Sequence, residues 1–275
     1  MKLIGLMLAR SESWVIGCSA RAALKWCDDL VVIDDDSTDD TAEIARDAGA
    51  YVVTVRRTEE HWPEMHLRQK SLDIGRNRDG THFAIIDADE VLTATDIPHV
   101  KAWFGALAAG QCLDAPMIAC WKSLDEYNAG IQSTITLGFR DAPGLCWKPR
   151  GTEQYHHHAR PPMGSSPQHC AAHGRGVFHL QFAAWDRFIW KHRHYLLMER
   201  LRWGYPAREL NEKYHWFERI TAVPRPVPSE YWAGLPREDI HLAHDSWYRA
   251  EVERILKAHS PGTFRDLDLF GMEAP

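Results

Sequence analysis

At 275 residues the chain is long enough for one large α/β domain with a modest appendage, and its 45% hydrophobic and 25% charged residues exclude a disordered or membrane-embedded chain. The formal net charge of -6 excludes a large sequence-independent nucleic-acid surface, which needs clustered Lys and Arg to displace phosphate counterions. The six cysteines (Cys18, Cys27, Cys112, Cys120, Cys146, Cys170) contain no CxxC pair, so they read as reduced thiols and set a cytoplasmic expectation.

Leu3 to Ala9 is a continuous apolar run of strand length, read as a buried first strand and not as a secretory signal. Residues 15–26 repeat apolar side chains at helical spacing through Val15, Ala22, Ala23 and Trp26. A β-branched run at 30–33 ends in Asp34-Asp35-Asp36, and Ser37-Thr38-Asp39-Asp40 then supplies an N-cap and acids for a helix over 41–48, stopped by Gly49. Residues 51–55 predict a third strand, 65–76 a helix, and 83–86 a fourth strand running into Asp87-Ala88-Asp89-Glu90. Such alternation implies a mostly parallel sheet with helices on both faces, where ligands collect beyond the carboxyl ends of strands. Both acidic clusters stand at such ends.

A helix is expected from Asp96 to Ala109, with strands at 117–121, 134–140 and 177–181. The connection between Trp147 and Gly176, rich in Pro, Gly and His, has a length usually tied to function. Residues 185–204 read as one long basic helix, the Pro-rich 223–236 breaks the pattern, and 246–259 read as a last amphipathic helix. No run approaches the roughly 18 apolar residues of a membrane span, so any membrane contact is peripheral. The expected organisation is a first half at 1–95, a second half at 96–205 and a C-terminal extension at 206–275.

Two carboxylates two residues apart, Asp87 and Asp89, can reach a divalent cation and its bound diphosphate, and hard oxygen ligands suit Mg²⁺ or Mn²⁺. Taken alone, DxD leaves open an ordinary acidic strand-end turn. Together, however, the clusters resemble glycosyltransferase family 2. Asp34-Asp35-Asp36-Ser37-Thr38-Asp39-Asp40-Thr41 follows the pattern D-D-x-S-T-D-x-T, and Asp87-Ala88-Asp89-Glu90 follows D-A-D-E. Ala9-Arg10-Ser11-Glu12, where the family commonly has Asn in place of Ser11, and Trp26-Cys27-Asp28-Asp29 extend the resemblance over roughly the first 95 residues.

The resemblance implies a GT-A fold, an inverting transfer from a nucleotide diphosphate sugar, with a UDP-sugar as the expected donor, and Mn²⁺ or Mg²⁺ as cofactor. It implies that Asp35 accepts the imino hydrogen of the donor base, that Ala9 and Glu12 line the nucleotide pocket, and that Asp89 is the principal metal ligand. Asp87 then holds the ribose, or reaches the metal directly or through an outer-shell water. Arg68 occupies the place of an arginine directed at the diphosphate, with Lys70 as an alternative; a guanidinium fork matches phosphate oxygens.

In the second half, 179–191 resembles H-Y-x-x-R-S-x-E-x-F-x-x-K, which implies His179 as a further metal ligand and Lys191, with Arg187, toward the phosphates. Leu180 replaces the aromatic, and Ala183-Ala184 replaces Arg-Ser. Residues 139–153 overlay F-R-x-x-P-G-x-x-F-x-G-x-x-H-E without a gap, so Glu153 falls on the family's acid, although Thr152 stands where the family has His. An inverting transfer needs a base for the acceptor hydroxyl. Glu153 is the expected base, with Asp186 and then His156, His157 or His158 as substitutes.

Consecutive histidines rarely point at one ion, so 156–158 read as an exposed tract. Trp147, Trp185, Trp190 and Trp232 are candidates for stacking on sugar rings. The acceptor, whether saccharide, lipid, protein or modified nucleobase, is not specified. Two alternatives are a catalytically silent nucleotide-sugar-binding module and a nucleotidyltransferase. The latter usually carries a Gly-rich basic loop after its first strand, unlike Ala9-Arg10-Ser11-Glu12-Ser13.

Overall fold

A computed structural model describes residues 1–57, 64–148, 159–242 and 247–272. The first half alternates β1 (Leu3–Ala9), α1 (Ile16–Ala23), β2 (Asp29–Asp34), α2 (Thr41–Asp47), β3 (Tyr51–Thr54), α3 (Glu64–Asn77) and β4 (His82–Asp87). Then come β5 (Glu90–Leu92), α4 (Val100–Gly105), β6 (Cys112–Ala119), β7 (Glu126–Asn128), β8 (Thr134–Arg140), β9 (Cys170–Ala171) and β10 (Val177–His179). α5 (Trp185–Trp203), α6 (Ala207–Tyr214), β11 (Pro224–Pro226) and α7 (Trp247–Ala258) complete the chain.

The main sheet has the order β3-β2-β1-β4-β8-β6-β10-β5, with β9 beside β6. β3, β2, β1 and β4 run parallel to one another; β8 runs antiparallel to β4 and β6; β10 is parallel to β6, and β5 is antiparallel to β10. The result is a mixed α/β fold with a mostly parallel sheet flanked by helices. A separate ribbon pairs β7 with β11.

The unbroken apolar run of β1 follows from burial on both faces. Leu3 and Met7 pack in one cluster with Ile16 and Ala20 of α1, while Ile4 and Leu6 pack in another with Leu67 and Leu72 of α3. At the join between the parallel and antiparallel parts, a Cβ on Gly138 would lie 2.2 Å from the Phe83 carbonyl oxygen, so the β4–β8 approach requires glycine. The helix expected over 96–109 is shorter: a 3₁₀ turn precedes α4, and the chain turns at Gly110 with φ +78. α6 was not anticipated; it buries Leu210 and Tyr214 against α5 and α7.

All six cysteines are free. Among the described residues no helix is long and apolar enough to cross a membrane.

Candidate active site

The carboxyl ends of β1, β2 and β4 form one rim, and α5 and α7 wall it, because Leu196 and Leu197 of α5 interlock with Val252 and Ile255 of α7. Between rim and helices lies a cleft of about 1390 Å³, lined by Arg10, Glu12, Asp87, Asp89, Lys191 and His194 among others. α7, from the segment expected to be an extension, contributes Trp247, Tyr248 and Glu251 to this wall. Ser11, where the family resemblance departs from Asn, turns the chain at the rim with φ +51, a conformation that Asn tolerates better than Ser.

On the β2 side, Asp35 is fully buried. Its Oδ2 accepts from Arg57 Nε at 2.9 Å and Nη2 at 2.6 Å, and from Arg10 Nη1 at 3.4 Å. Its Oδ1 has no hydrogen-bond partner, and neither does Arg10 Nε. Asp35 does not itself line the cleft; Arg10 and Arg57 do. The Arg10 guanidinium lies 4.6 Å from the centroid of the Trp247 ring. Burial, reinforced by Arg57, lowers the Arg10 pKa below the ordinary arginine value.

On the β4 side, Asp89 is 5% exposed, and its Oδ2 accepts no hydrogen bond. His179 Nε2 stands 3.8 Å from Asp89 Oδ1, and Lys191 Nζ 3.9 Å from Oδ2. Burial works against the Lys191 ammonium, but Asp89, Tyr248 and Glu12 outweigh it and raise the lysine pKa, keeping the ammonium charged. Asp87 is drawn the other way. Its Oδ2 accepts from Arg160 Nη1 at 2.9 Å, and Arg68 Nη2 lies 3.5 Å from its Oδ1. Burial pushes the Asp87 pKa up, and Arg160 followed by Arg68 more than reverse that, holding it well below the usual carboxylate range.

The expected metal set of Asp87, Asp89 and His179 is therefore gathered in part. Asp89 and His179 face each other, whereas Asp87 is engaged by arginines. Among the described residues no group of three or more His, Cys, Asp or Glu side chains has the spacing of a metal site. Mg²⁺ and Mn²⁺ bind through one or two carboxylates plus substrate phosphates and water, so the Asp89 carboxylate, with Oδ1 facing His179 and Oδ2 free of hydrogen bonds beside Lys191, fits such an ion.

The remaining expected residues divide. Glu12 lines the cleft, but its carboxylate is held by Trp14 Nε1 at 2.6 Å and Arg187 Nη2 at 2.7 Å. Arg187 is thereby spent on fastening α5 to the rim. Ala9 is buried behind the cleft, its carbonyl accepting the Asp35 N–H at 2.9 Å. Arg68 lines the cleft, bonded to Glu64 at 2.6 Å, while Lys70 is an exposed surface cation. Asp186 is exposed and does not line the cleft, because the α5 face turned toward the cleft is the stripe of Lys191, His194, Tyr195 and Met198, spaced three and four residues apart.

Trp147 packs on Phe139 in the core, and Trp232 stacks on Phe178, so neither offers a ring face to a sugar. Glu153 and His156, His157 and His158 lie outside the described residues. Their flanks do not. Cys146 and Met163 exchange backbone hydrogen bonds, and Trp147 Nε1 donates to the Arg160 carbonyl at 3.2 Å, so segment 149–158 leaves and re-enters the described chain at one neck beside Asp87.

Arg57, Arg160, His194 and Trp247 also line the cleft, and no motif in the sequence marks them. Arg57 follows an anticipated strand and carried a weak signal as a cation near the rim; a lone arginine such as Arg160 carries none.

No known family profile and no curated protein matches the chain. Among solved structures, it is similar to glucosyl-3-phosphoglycerate synthase from Mycobacterium tuberculosis in complex with Mg²⁺ and uridine diphosphate, at 20% identity over 44% of this chain and 43% of that one, with TM-score 0.31. It is also similar to S. aureus TarS, at 10% identity over 97% of this chain and 50% of that one, with TM-score 0.46. To TarS 1-349 in complex with UDP-GlcNAc the identity is 11% over 98% of this chain and 82% of that one, with TM-score 0.42. The match spans less than half the length of the mycobacterial synthase.

Proposed function

We propose that the chain is a metal-dependent, inverting glycosyltransferase of GT-A type that moves a sugar from a nucleotide diphosphate donor, a UDP-sugar, to an acceptor hydroxyl. The observation that carries this reading is Asp89. A buried carboxylate with an oxygen left unpartnered is costly unless a ligand completes it, and this one sits at the carboxyl end of β4 beside His179 and Lys191. In the proposal, residues 1–95 hold the donor, 96–205 the acceptor, and 206–275 close the donor cleft through α7.

Asp89 and His179 would hold Mn²⁺ or Mg²⁺, which when bound supplies positive charge to the departing diphosphate. Lys191 and Arg68 add fixed positive charge on the same side and stabilise the leaving group. Asp35 Oδ1, buried behind the cleft-lining Arg10 and Arg57, accepts the imino hydrogen of the base once Arg10 swings aside, and Arg10 Nε offers a donor to a neighbouring carbonyl. An acceptor beside a donor complements the imide edge of uracil.

The base that takes the acceptor's proton is assigned to segment 149–158, with Glu153 first. Among the described residues, the other carboxylates lining the cleft are committed: Glu12 to Arg187, Glu64 to Arg68, Asp87 to Arg160 and Glu251 to Arg254. A thermal-shift comparison of nucleoside diphosphates with and without Mn²⁺ tests the reading. UDP with Mn²⁺ is expected to raise the Tm more than UDP alone; no shift with any nucleotide would overturn it.

A further inference from the structure

One side chain from the connection between Trp147 and Gly176 reaches into the DxD turn. Arg160 donates from Nε to the Thr136 carbonyl at 3.2 Å, from Nη1 to Asp87 Oδ2 at 2.9 Å and Glu90 Oε1 at 2.8 Å, and from Nη2 to the Ile85 carbonyl and Glu90 Oε2, each at 2.8 Å. A guanidinium has five N–H donors in a rigid fork, and these bonds use the whole fork. The Arg160 side chain is 16% exposed and that of Glu90 2%.

These bonds pin both ends of one turn. Asp87 ends β4 and Glu90 begins β5; Glu90 Oε2 also accepts the Asp87 N–H at 2.9 Å. With both ends held, Asp87 is turned toward the arginines, and Asp89 between them is the carboxylate left with an unpartnered oxygen. The Arg160 carbonyl in turn accepts from Trp147 Nε1 at 3.2 Å.

We infer that Arg160 is a positioning residue of the donor site: through Asp87 and Glu90 it sets the turn that presents Asp89. The inference rests on the donor-site reading above. Its chemistry is geometric, since a lysine has the charge but not the fork. Partners that orient a metal ligand at one remove typically change metal affinity about 10- to 100-fold when removed.

The experiment measures UDP binding by calorimetry with and without Mn²⁺. Arg160→Met alone strands the Glu90 carboxylate in the interior, so the test variant is the double substitution R160M/E90Q, which removes both charges. Mn²⁺-dependent UDP affinity should fall about 10- to 100-fold, while metal-free UDP affinity, which reads the Asp35 side, stays at the wild-type value. R160K should show the same loss, and adding D87N to R160M/E90Q should deepen it little, because both act through one contact. Wild-type Mn²⁺-dependent affinity in R160M/E90Q or in R160K overturns the role of Arg160 alone. A parallel loss of metal-free binding overturns it too, marking a general folding role. Wild-type protein that binds no UDP overturns the donor-site reading, and the role of Arg160 with it.

Discussion

Lys191 Nζ stands 3.9 Å from Asp89 Oδ2, an oxygen that accepts no hydrogen bond. The contact spans the rim, since Asp89 follows β4 and Lys191 lies in the second turn of α5. Asp89→Asn should abolish metal-dependent turnover and lower stability by about 1–3 kcal/mol, because the buried Lys191 ammonium loses its principal counter-charge. Activity with saturating Mn²⁺ and a urea denaturation curve check this together; normal turnover would remove Asp89 from the metal site.

Asp35→Asn should weaken metal-free UDP binding by about 10-fold or more, the worth of a charge-assisted hydrogen bond. It should also lower stability by about 1–3 kcal/mol, because Arg57 and Arg10 lose their carboxylate partner. The ratio of UDP affinities with and without Mn²⁺ should stay as in the wild type. Calorimetry that finds the metal effect lost and metal-free binding intact would exchange the roles assigned to Asp35 and Asp89.

His194 gives a pH dependence with a definite sign. Burial pushes its pKa down to about 3; Glu251 opposes this, and Arg10, Arg57 and Arg254 reinforce it. The folded protein thus keeps the imidazole neutral, and the unfolded chain binds the extra proton. The stabilising contribution is complete above the unfolded value of about 6.5 and is lost as pH falls toward the folded value, with a slope of at most ~1.4 kcal/mol per pH unit. Between pH 6.5 and 5 few carboxylates titrate, so His194→Gln should flatten the stability profile there. An unchanged slope in that variant would place the proton uptake elsewhere.

Glu153→Gln keeps size and removes basicity. If Glu153 is the base, kcat falls by about 10²- to 10⁴-fold while donor affinity stays constant. A variant that turns over normally passes the role to His156, His157 or His158, since Asp186 stands outside the cleft.

The parallel half of the fold was legible because its strands are buried on both faces and read as unbroken apolar runs that end in acids. Leu3–Ala9 is recovered residue for residue, and Asp87, Asp89, His179 and Lys191 do converge. What failed was long-range. Arg160 meets Asp87 across 73 residues of chain and Arg57 meets Asp35 across 22, and no period in the sequence records such pairings. Trp147 and Trp232 looked like sugar platforms by residue type, but their burial is set by Phe139 and Phe178 on neighbouring strands. Glu12 matched its motif position, yet Arg187, 175 residues later in sequence, claims its carboxylate.

The most direct test of the central claim is the release of UDP from UDP-sugars by the purified chain, measured with Mn²⁺, with Mg²⁺ and with a chelator. Slow donor hydrolysis is expected with either cation, with its loss on chelation and its loss in Asp89→Asn with both cations present. Hydrolysis unaffected by chelation would contradict the metal role of Asp89, and UDP bound with Mn²⁺ but never released from any UDP-sugar would leave a binding module in place of a transferase.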